Sequence, residues 1–168
     1  FVAEGVKGEQ ASPDISGLIG SYAHGNEPGH HTNFLFNYAG RAWRTQELNR
    51  QIQETMYTSR PDGLSGNEDC GQMSAWYIFS AMGFYPVNPS ELQYQFGSPI
   101  VQEAKVEIAP GKFFTMKAPQ ASKANKYIQE VKLNGQKLDR SYITHQEIRN
   151  GGTLEFTMAA QPNKELFK

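Results

Sequence analysis

Two adjacent carboxylates, Glu68 and Asp69, stand directly before an almost wholly apolar segment that ends near Pro86. Carboxylates are well suited to general acid and base catalysis, and a rigid buried element behind them would fix their position. Asp69, with Gln72 three residues later, also fits a helix cap. Capping and catalysis are compatible, because a helix N-terminus stabilises an ionised carboxylate. The junction therefore predicts an acid–base site.

A second polar cluster occupies residues 24–31, which read His-Gly-Asn-Glu-Pro-Gly-His-His. Asn26, Glu27 and loop carbonyls offer the oxygen ligands that calcium prefers. The imidazoles could then hydrogen-bond a polyhydroxylated substrate; they belong to His24, His30 and His31. A zinc site is an alternative, although the spacing is not the His-Glu-x-x-His pattern and no cysteine helps. In a purely structural interpretation, Glu27 and the histidines only cap and pack the following helix.

Four helices are predicted to position these clusters: one from Ser12 to about Tyr22, one over 30–39, one capped by Thr45, and one after Asp69. The third carries an apolar stripe at four-residue spacing, which predicts an outer, amphipathic helix. The fourth has no wide polar face and should be buried all round. A chain of this size could hardly surround it, which favours a larger helical assembly or an obligate partner.

From Leu92 onward, apolar residues alternate with polar ones, which predicts half-buried strands around 106–108, 131–133 and 154–158. Residues 133–136, Leu-Asn-Gly-Gln, have the composition of a tight hairpin turn. The predicted fold class is therefore α+β. Its domains are a helical unit over residues 1–88 and a small antiparallel β unit over 89–168.

Bulk properties exclude several classes of protein. The formal net charge is −1 with no basic stripe, so neither nucleic acid nor an anionic membrane is an expected partner. Cys70 is the sole cysteine, which excludes an internal disulfide, and it is expected to be buried beside the cap. No segment has the apolar length of a membrane span. The chain begins with Phe1 rather than Met, so we expect upstream sequence that could include a signal peptide.

Three ordered motifs resemble glycoside hydrolase family 92. They are residues 24–31, then Asn-Tyr-Ala-Gly at 37–40 followed by Trp-Arg-Thr-Gln at 43–46, and Gly-Asn-Glu-Asp-Cys-Gly-Gln-Met-Ser-Ala-Trp-Tyr at 66–77. Members of this family are calcium-dependent, inverting, exo-acting α-mannosidases, frequent in gut Bacteroides-type bacteria. The likeness covers nearly the whole chain but matches only the C-terminal part of such an enzyme.

The resemblance implies an (α/α)6 barrel, of which the helical half is a part, packed with β-sandwich elements like the β half. Asp69 matches the general base of the family, with Glu68 as the candidate assisting carboxylate. Asn26 and Glu27 match the loop associated with calcium and the terminal mannose. The three histidines would bind substrate directly or support the residues that do; they are His24, His30 and His31.

Two departures from the family stand out. Many members carry Asp where this chain has Asn67, so an amide replaces one acidic residue beside the base. The motif of the general acid, of Glu-Gly-Asn type, does not occur in the chain, and we expect it to lie before Phe1. The missing N-terminal part of the same enzyme is thus an expected partner, and the chain alone should be inactive.

The resemblance therefore predicts the C-terminal portion of a secreted or periplasmic bacterial enzyme that removes terminal mannose from α-linked mannoside glycans, as in N-glycan degradation. One alternative is a non-catalytic carbohydrate-binding or structural module that retains the family outline. Another is a hydrolase that binds zinc through the histidine loop.

Overall fold

A computed structural model describes residues 16–168. The first predicted helix begins outside this range. Where its later part was expected, two short strands, β1 (Leu18–Ile19) and β2 (Tyr22–Ala23), pair antiparallel. Gly17 and Gly20 adopt left-handed φ angles of 61° and 59°, which a right-handed helix cannot use. The helix prediction is therefore wrong for this segment.

The helix predicted over residues 30–39 is divided into shorter turns. Two 3₁₀ turns, Glu27–Gly29 and Thr32–Phe34, precede the short helix α1 (Leu35–Tyr38). Gly40, with φ 65°, lies two residues beyond its end, as its composition predicts.

Helix α2 (Ala42–Thr55) begins three residues before its predicted cap. Thr45 lies inside the helix, and its hydroxyl donates to the carbonyl oxygen of Asn33 at 3.0 Å instead of capping the helix. The prediction of an outer helix is also wrong, because α2 buries a polar stripe as well as Leu48 and Ile52. The stripe consists of Thr45, Gln46, Asn49, Arg50 and Gln53.

Helix α3 (Gln72–Ala81) is the apolar helix behind the carboxylates. Met73 and Trp76 are fully buried, whereas Ile78 is 57% exposed, so the helix is not covered on all sides within residues 16–168. Gly83, with φ 91°, follows its end as predicted.

The strands after α3 form two sheets. Their bounds are β3 (Phe84–Asn88), β4 (Gln93–Phe96), β5 (Glu103–Ala109), β6 (Lys112–Lys117), β7 (Tyr127–Leu133), β8 (Gln136–Lys137), β9 (Tyr142–Thr144) and β10 (Gly152–Ala159). The order is β5-β6-β10-β7-β8 in one sheet and β3-β4-β9 in the other. All pairs of neighbouring strands are antiparallel except β6 with β10, which is parallel. The prediction of an antiparallel β unit is therefore wrong for this pair.

The hairpin predicted at residues 133–136 is confirmed, with Leu133 opposite Gln136 and positive φ angles of 51° at Asn134 and 80° at Gly135. A short helix that was not predicted, α4 (His145–Asn150), links β9 to β10. Apolar side chains from both sheets share one core, as in a sandwich.

The two halves of the chain are closely connected. Strand β3 pairs with β4 across the predicted boundary between residues 88 and 89, and the division into two domains stays a prediction. Two residues of the buried polar stripe of α2 reach the β half: the main-chain N–H of Ile128 donates to the Gln46 side chain at 2.9 Å, and Arg50 donates to the Ser98 hydroxyl. None of the described helices is long and apolar enough to cross a membrane.

Candidate functional site

The two polar clusters of the sequence meet through their backbones at Gly25 and Gly66. A Cβ atom placed at Gly66 would lie 2.7 Å from the carbonyl oxygen of Gly25, and one at Gly25 would collide with the carbonyl oxygen of Ser65. Only residues without a side chain permit this approach. The histidine loop and the carboxylate loop are therefore neighbours, although about forty residues of chain separate them.

A left-handed turn leads from the carboxylates into α3. Asp69, Cys70 and Gly71 have φ angles of 45°, 57° and 87°. Each non-glycine residue in this conformation costs about 1–2 kcal/mol, so the surrounding contacts must hold the turn in place. The turn leaves Cys70 exposed, and the prediction that it is buried is wrong.

Glu68, not Asp69, caps α3. Its carboxylate accepts from the main-chain N–H of Ser74 at 2.8 Å and from the Ser74 hydroxyl at 2.6 Å. Its carbonyl oxygen also accepts from the N–H of Met73 at 3.2 Å. The hydroxyl and backbone hydrogen bonds from Ser74 lower the pKa of Glu68.

Asp69 is exposed, and its side chain makes no hydrogen bond or ion pair within residues 16–168. Its main chain is fixed, because its carbonyl oxygen accepts from the N–H of Gln72 at 3.1 Å. The predicted cap at Asp69 is therefore wrong. Since Glu68 satisfies the helix terminus, the Asp69 carboxylate is left at the surface, where it can accept a proton. Asn67 beside them is exposed as well.

His24 and His30 lie behind this surface, 0% and 1% exposed. Nε2 of His30 is 2.9 Å from the carbonyl oxygen of His24, which can only accept, so Nε2 carries the proton and Nδ1 accepts from Gln72. The Tyr57 hydroxyl donates to the carbonyl oxygen of Met73 at 3.1 Å. Nε2 of His24 therefore donates to Tyr57 at 2.6 Å.

Nδ1 of His24 accepts from the Tyr22 hydroxyl at 2.8 Å, so both ring nitrogens of each imidazole are occupied. The rings stack at 4.5 Å, and His24 also meets the edge of Trp76 at 4.5 Å. Burial lowers the pKa of His24 to about 3, and burial also lowers the pKa of His30. Both imidazoles are therefore neutral, and each is held in place by hydrogen bonds at both ring nitrogens.

These neutral imidazoles predict a loss of stability in mild acid. Their pKa values are lower in the folded chain than in the unfolded one, so below pH 6.5 the unfolded chain binds protons that the folded chain does not. The shift of His24 alone should lower the free energy of unfolding by about 3 kcal/mol between pH 7.5 and pH 4.5, and that of His30 acts in the same direction. Urea denaturation at several pH values measures it. A flat profile over this range would contradict the assignment.

The oxygen ligands predicted for calcium belong to the histidine loop, residues 24–31. Asn26 is exposed and caps no turn with its side chain, while Glu27 is half-buried. Asn26 borders a recess of about 310 Å³. It is lined by Ser21, Tyr22, Ala23, Asn26, Gly29 and Thr32.

Amide, carboxylate and carbonyl oxygens fit calcium as a partial ligand set, since calcium takes six to eight oxygens. Zinc fits poorly, because the ring nitrogens of His24 and His30 are engaged and only His31 is exposed. Within residues 16–168, no three His, Cys, Asp or Glu side chains cluster as a metal site.

A groove of about 490 Å³ lies beside the helix cap. Ser74, which donates to Glu68, forms part of its wall. The lining residues are Tyr57, Thr58, Ser59, Leu64, Ser74, Tyr77 and Ile78. Its wall combines aromatic rings with hydroxyl groups and reaches the Glu68 carboxylate through Ser74, an arrangement that suits a sugar ring.

The sequence gives no signal for the supporting residues Tyr22, Tyr57 and Tyr85. Tyr57 joins His24 from 33 positions away, and Gln72 joins His30 from 42 positions away. Tyrosines at such separations are indistinguishable from ordinary core residues, and only the fold brings them to the site.

The chain is similar to several known glycosidases. It is 31% identical over 140 residues to an uncharacterized secreted glycosidase of Arthroderma benhamiae, covering 82% of this chain and 18% of that protein. A family GH92 alpha-mannosidase from Bacteroides thetaiotaomicron, solved with mannoimidazole, superposes with a TM-score of 0.88 and 47% identity over 92% of this chain and 20% of the other. A family GH92 inverting mannosidase from the same organism gives a TM-score of 0.81 and 42% identity, over 87% and 20%.

The chain thus spans about a fifth of the length of these relatives. Residues 2–160 match the glycosyl hydrolase family 92 catalytic domain. This match covers most of the sequence and includes both polar clusters that meet in the fold. The chain therefore belongs to glycosyl hydrolase family 92.

Proposed function

We propose that this chain supplies the general base and part of the sugar-binding loop of a calcium-dependent, inverting, exo-acting α-mannosidase. Its helical half would complete an (α/α)6 barrel with other parts of the full-length protein. The enzyme would act on α-linked mannoside glycans in the periplasm or outside the cell. Support comes from the family and from relatives named as alpha-mannosidase and inverting mannosidase.

The observation that carries the proposal is the meeting of the two loops at Gly25 and Gly66. It brings the loop that carries Asn26 and Glu27 next to the loop that carries Asp69. An exo-acting glycosidase needs this combination, because the groups that hold the terminal sugar must lie next to the group that activates water.

In the proposed mechanism, the Asp69 carboxylate takes a proton from water as that water attacks the anomeric carbon on the face opposite the leaving group. A carboxylic acid from another part of the full-length protein protonates the glycosidic oxygen. The two groups lie roughly 6.5–9.5 Å apart in inverting enzymes. Glu68 holds the turn through Ser74 and transfers no proton.

Asn26, Glu27 and neighbouring carbonyls would hold calcium. When bound, the ion would orient the O2 and O3 hydroxyls of the terminal mannose and favour a distorted ring. His24 and His30 would keep the ligand loop in place from behind, and the exposed His31 is free of that constraint and available to the substrate.

Removal of calcium from the full-length protein should abolish mannose release. We expect EGTA to lower activity by at least about 100-fold and added calcium to restore it, because the ion organises both substrate and loop. Metal analysis of the purified protein should find calcium and no stoichiometric zinc. Restoration by zinc alone would favour the zinc hydrolase instead.

Proton NMR of the released sugar should show the β-anomer first, as inversion requires.

Glu68→Gln tests whether Glu68 caps α3 without taking part in proton transfer. Glutamine keeps the shape of the side chain, and its oxygen can still accept from Ser74, but it cannot transfer a proton. We expect kcat of the full-length protein to stay within about fivefold of wild type, whereas a lost acid–base group costs about 10²–10⁴-fold. Glu68→Ala, which removes the cap, should lower thermal stability. A Glu68→Gln enzyme as inactive as a base variant would assign proton transfer to Glu68.

A further inference from the structure

The carboxamide of Gln72 bridges three parts of the chain. Its Nε2 donates to Nδ1 of His30 at 3.1 Å and to the Tyr85 hydroxyl at 2.9 Å. His30 continues the connection to the carbonyl oxygen of His24 at 2.9 Å. We call Gln72, His30 and Tyr85 the Gln72 bridge. It joins the first residue of α3 to the histidine loop on one side and to strand β3 on the other.

The bridge starts directly behind the candidate base. The main-chain N–H of Gln72 donates to the carbonyl oxygen of Asp69 at 3.1 Å. One residue thus holds the left-handed turn with its backbone and the opposite loop with its side chain. The left-handed conformation is unfavourable for the two non-glycine residues of this turn, so the turn depends on such contacts.

Only a side chain with two donors in this position completes the bridge. Nδ1 of His30 must accept, because Nε2 donates to a carbonyl oxygen. The Tyr85 hydroxyl receives the other N–H of the carboxamide, and its ring is held by stacking on Phe34 at 5.2 Å between centroids. Both partners are therefore held by contacts other than those with Gln72. This makes the bridge a rigid support.

We propose that Gln72 is a positioning residue of the glycosidase reaction, which sets the place of the Asp69 carboxylate relative to the loop that carries Asn26 and Glu27. The inference rests on the proposed function for the role of Asp69. It adds that the Gln72 carboxamide, which does not touch the substrate, keeps the Asp69 carboxylate in position through the left-handed turn.

Gln72→Met in the full-length protein tests the proposal, because methionine keeps the size of the side chain and removes both donors. We expect kcat for an aryl α-mannoside to fall by about 10- to 100-fold, since a displacement of about 1 Å at a catalytic group has this effect. KM should stay within about twofold of wild type. Amide hydrogen exchange should rise in a peptide spanning residues 66–73 and stay unchanged in β10. Gln146→Met, at an exposed glutamine of α4, is the matched control and should change neither quantity.

Tyr85→Phe separates a connected bridge from two independent contacts. Because its hydroxyl acts through the carboxamide, the double variant Gln72→Met/Tyr85→Phe should be no slower than Gln72→Met alone. Multiplied losses, or a Gln72→Met enzyme with unchanged kcat and exchange, would overturn the inference. If Gln72→Met does not fold, Tyr85→Phe decides the question through the same two measurements. An inactive wild type would contradict the proposed function, and the exchange experiment would still decide whether Gln72 holds the turn.

Discussion

Replacement of Asp69 by asparagine in the full-length protein is expected to lower kcat by about 10²–10⁴-fold. The amide has nearly the shape of the carboxylate but cannot take a proton from the attacking water. KM should change little, because the side chain of a general base binds the water and not the sugar. Steady-state release of mannose from an aryl α-mannoside measures the effect.

The fold should tolerate this change, since Asp69 is exposed and its side chain has no partner within residues 16–168. The melting temperature of Asp69→Asn should therefore equal that of wild type. Asp62→Asn, at an exposed aspartate in the preceding loop, is the matched control and should retain full activity. A variant at Asp69 that keeps more than about a tenth of wild-type activity would remove it as the base.

The features that were predicted correctly have local causes. The hairpin at residues 133–136 follows from the turn chemistry of Asn134 and Gly135, and β10 follows from its alternation of apolar and polar residues. The end of α3 follows from Gly83. In each case the residues that decide the structure lie within one turn or strand of it.

The features that were missed depend on distant residues. Thr45 has the composition of a cap, but its hydroxyl is taken by the carbonyl oxygen of Asn33, so α2 starts earlier. The parallel pairing of β6 with β10 joins strands that are far apart in the chain. Nothing within either strand specifies that partner.

The roles of the candidate site residues stay a prediction, whereas the local structure around them can be compared with what the sequence indicated. Both loops were identified from residue types, and their contact at Gly25 and Gly66 was not visible in either one. The cap lies at Glu68 instead of Asp69 because of the left-handed turn, which brings Glu68 within reach of Ser74 six positions later. Such a spacing matches no standard cap, so only the structure could reveal it.

Among the variants proposed for this chain, Arg50→Met should lower the free energy of unfolding the most. Arg50 is 3% exposed on α2, and its guanidinium donates to the Ser98 hydroxyl at 2.9 Å and to the Pro99 carbonyl at 2.9 Å. A further, longer hydrogen bond reaches the carbonyl oxygen of Asn125 at 3.4 Å. Methionine would leave these buried acceptors without their donors, which costs about 3 kcal/mol of unfolding free energy. Urea denaturation followed by tryptophan fluorescence measures the change.

Arg50→Lys should restore only part of this loss, about 1 kcal/mol, because a single ammonium group cannot match the fork that serves Ser98 and Pro99 together. Arg44→Met on the same helix is the control; its ion pair with Glu47 is partly exposed, and such pairs contribute about 0–1 kcal/mol. Equal stability of the Arg50 and Arg44 variants would show that the polar stripe does not join the two halves. A large difference in stability between the two variants would instead show that α2 joins the β half to the helices that carry the site. The same helix packs in one hydrophobic cluster with Phe34 and Trp76 through Ile52.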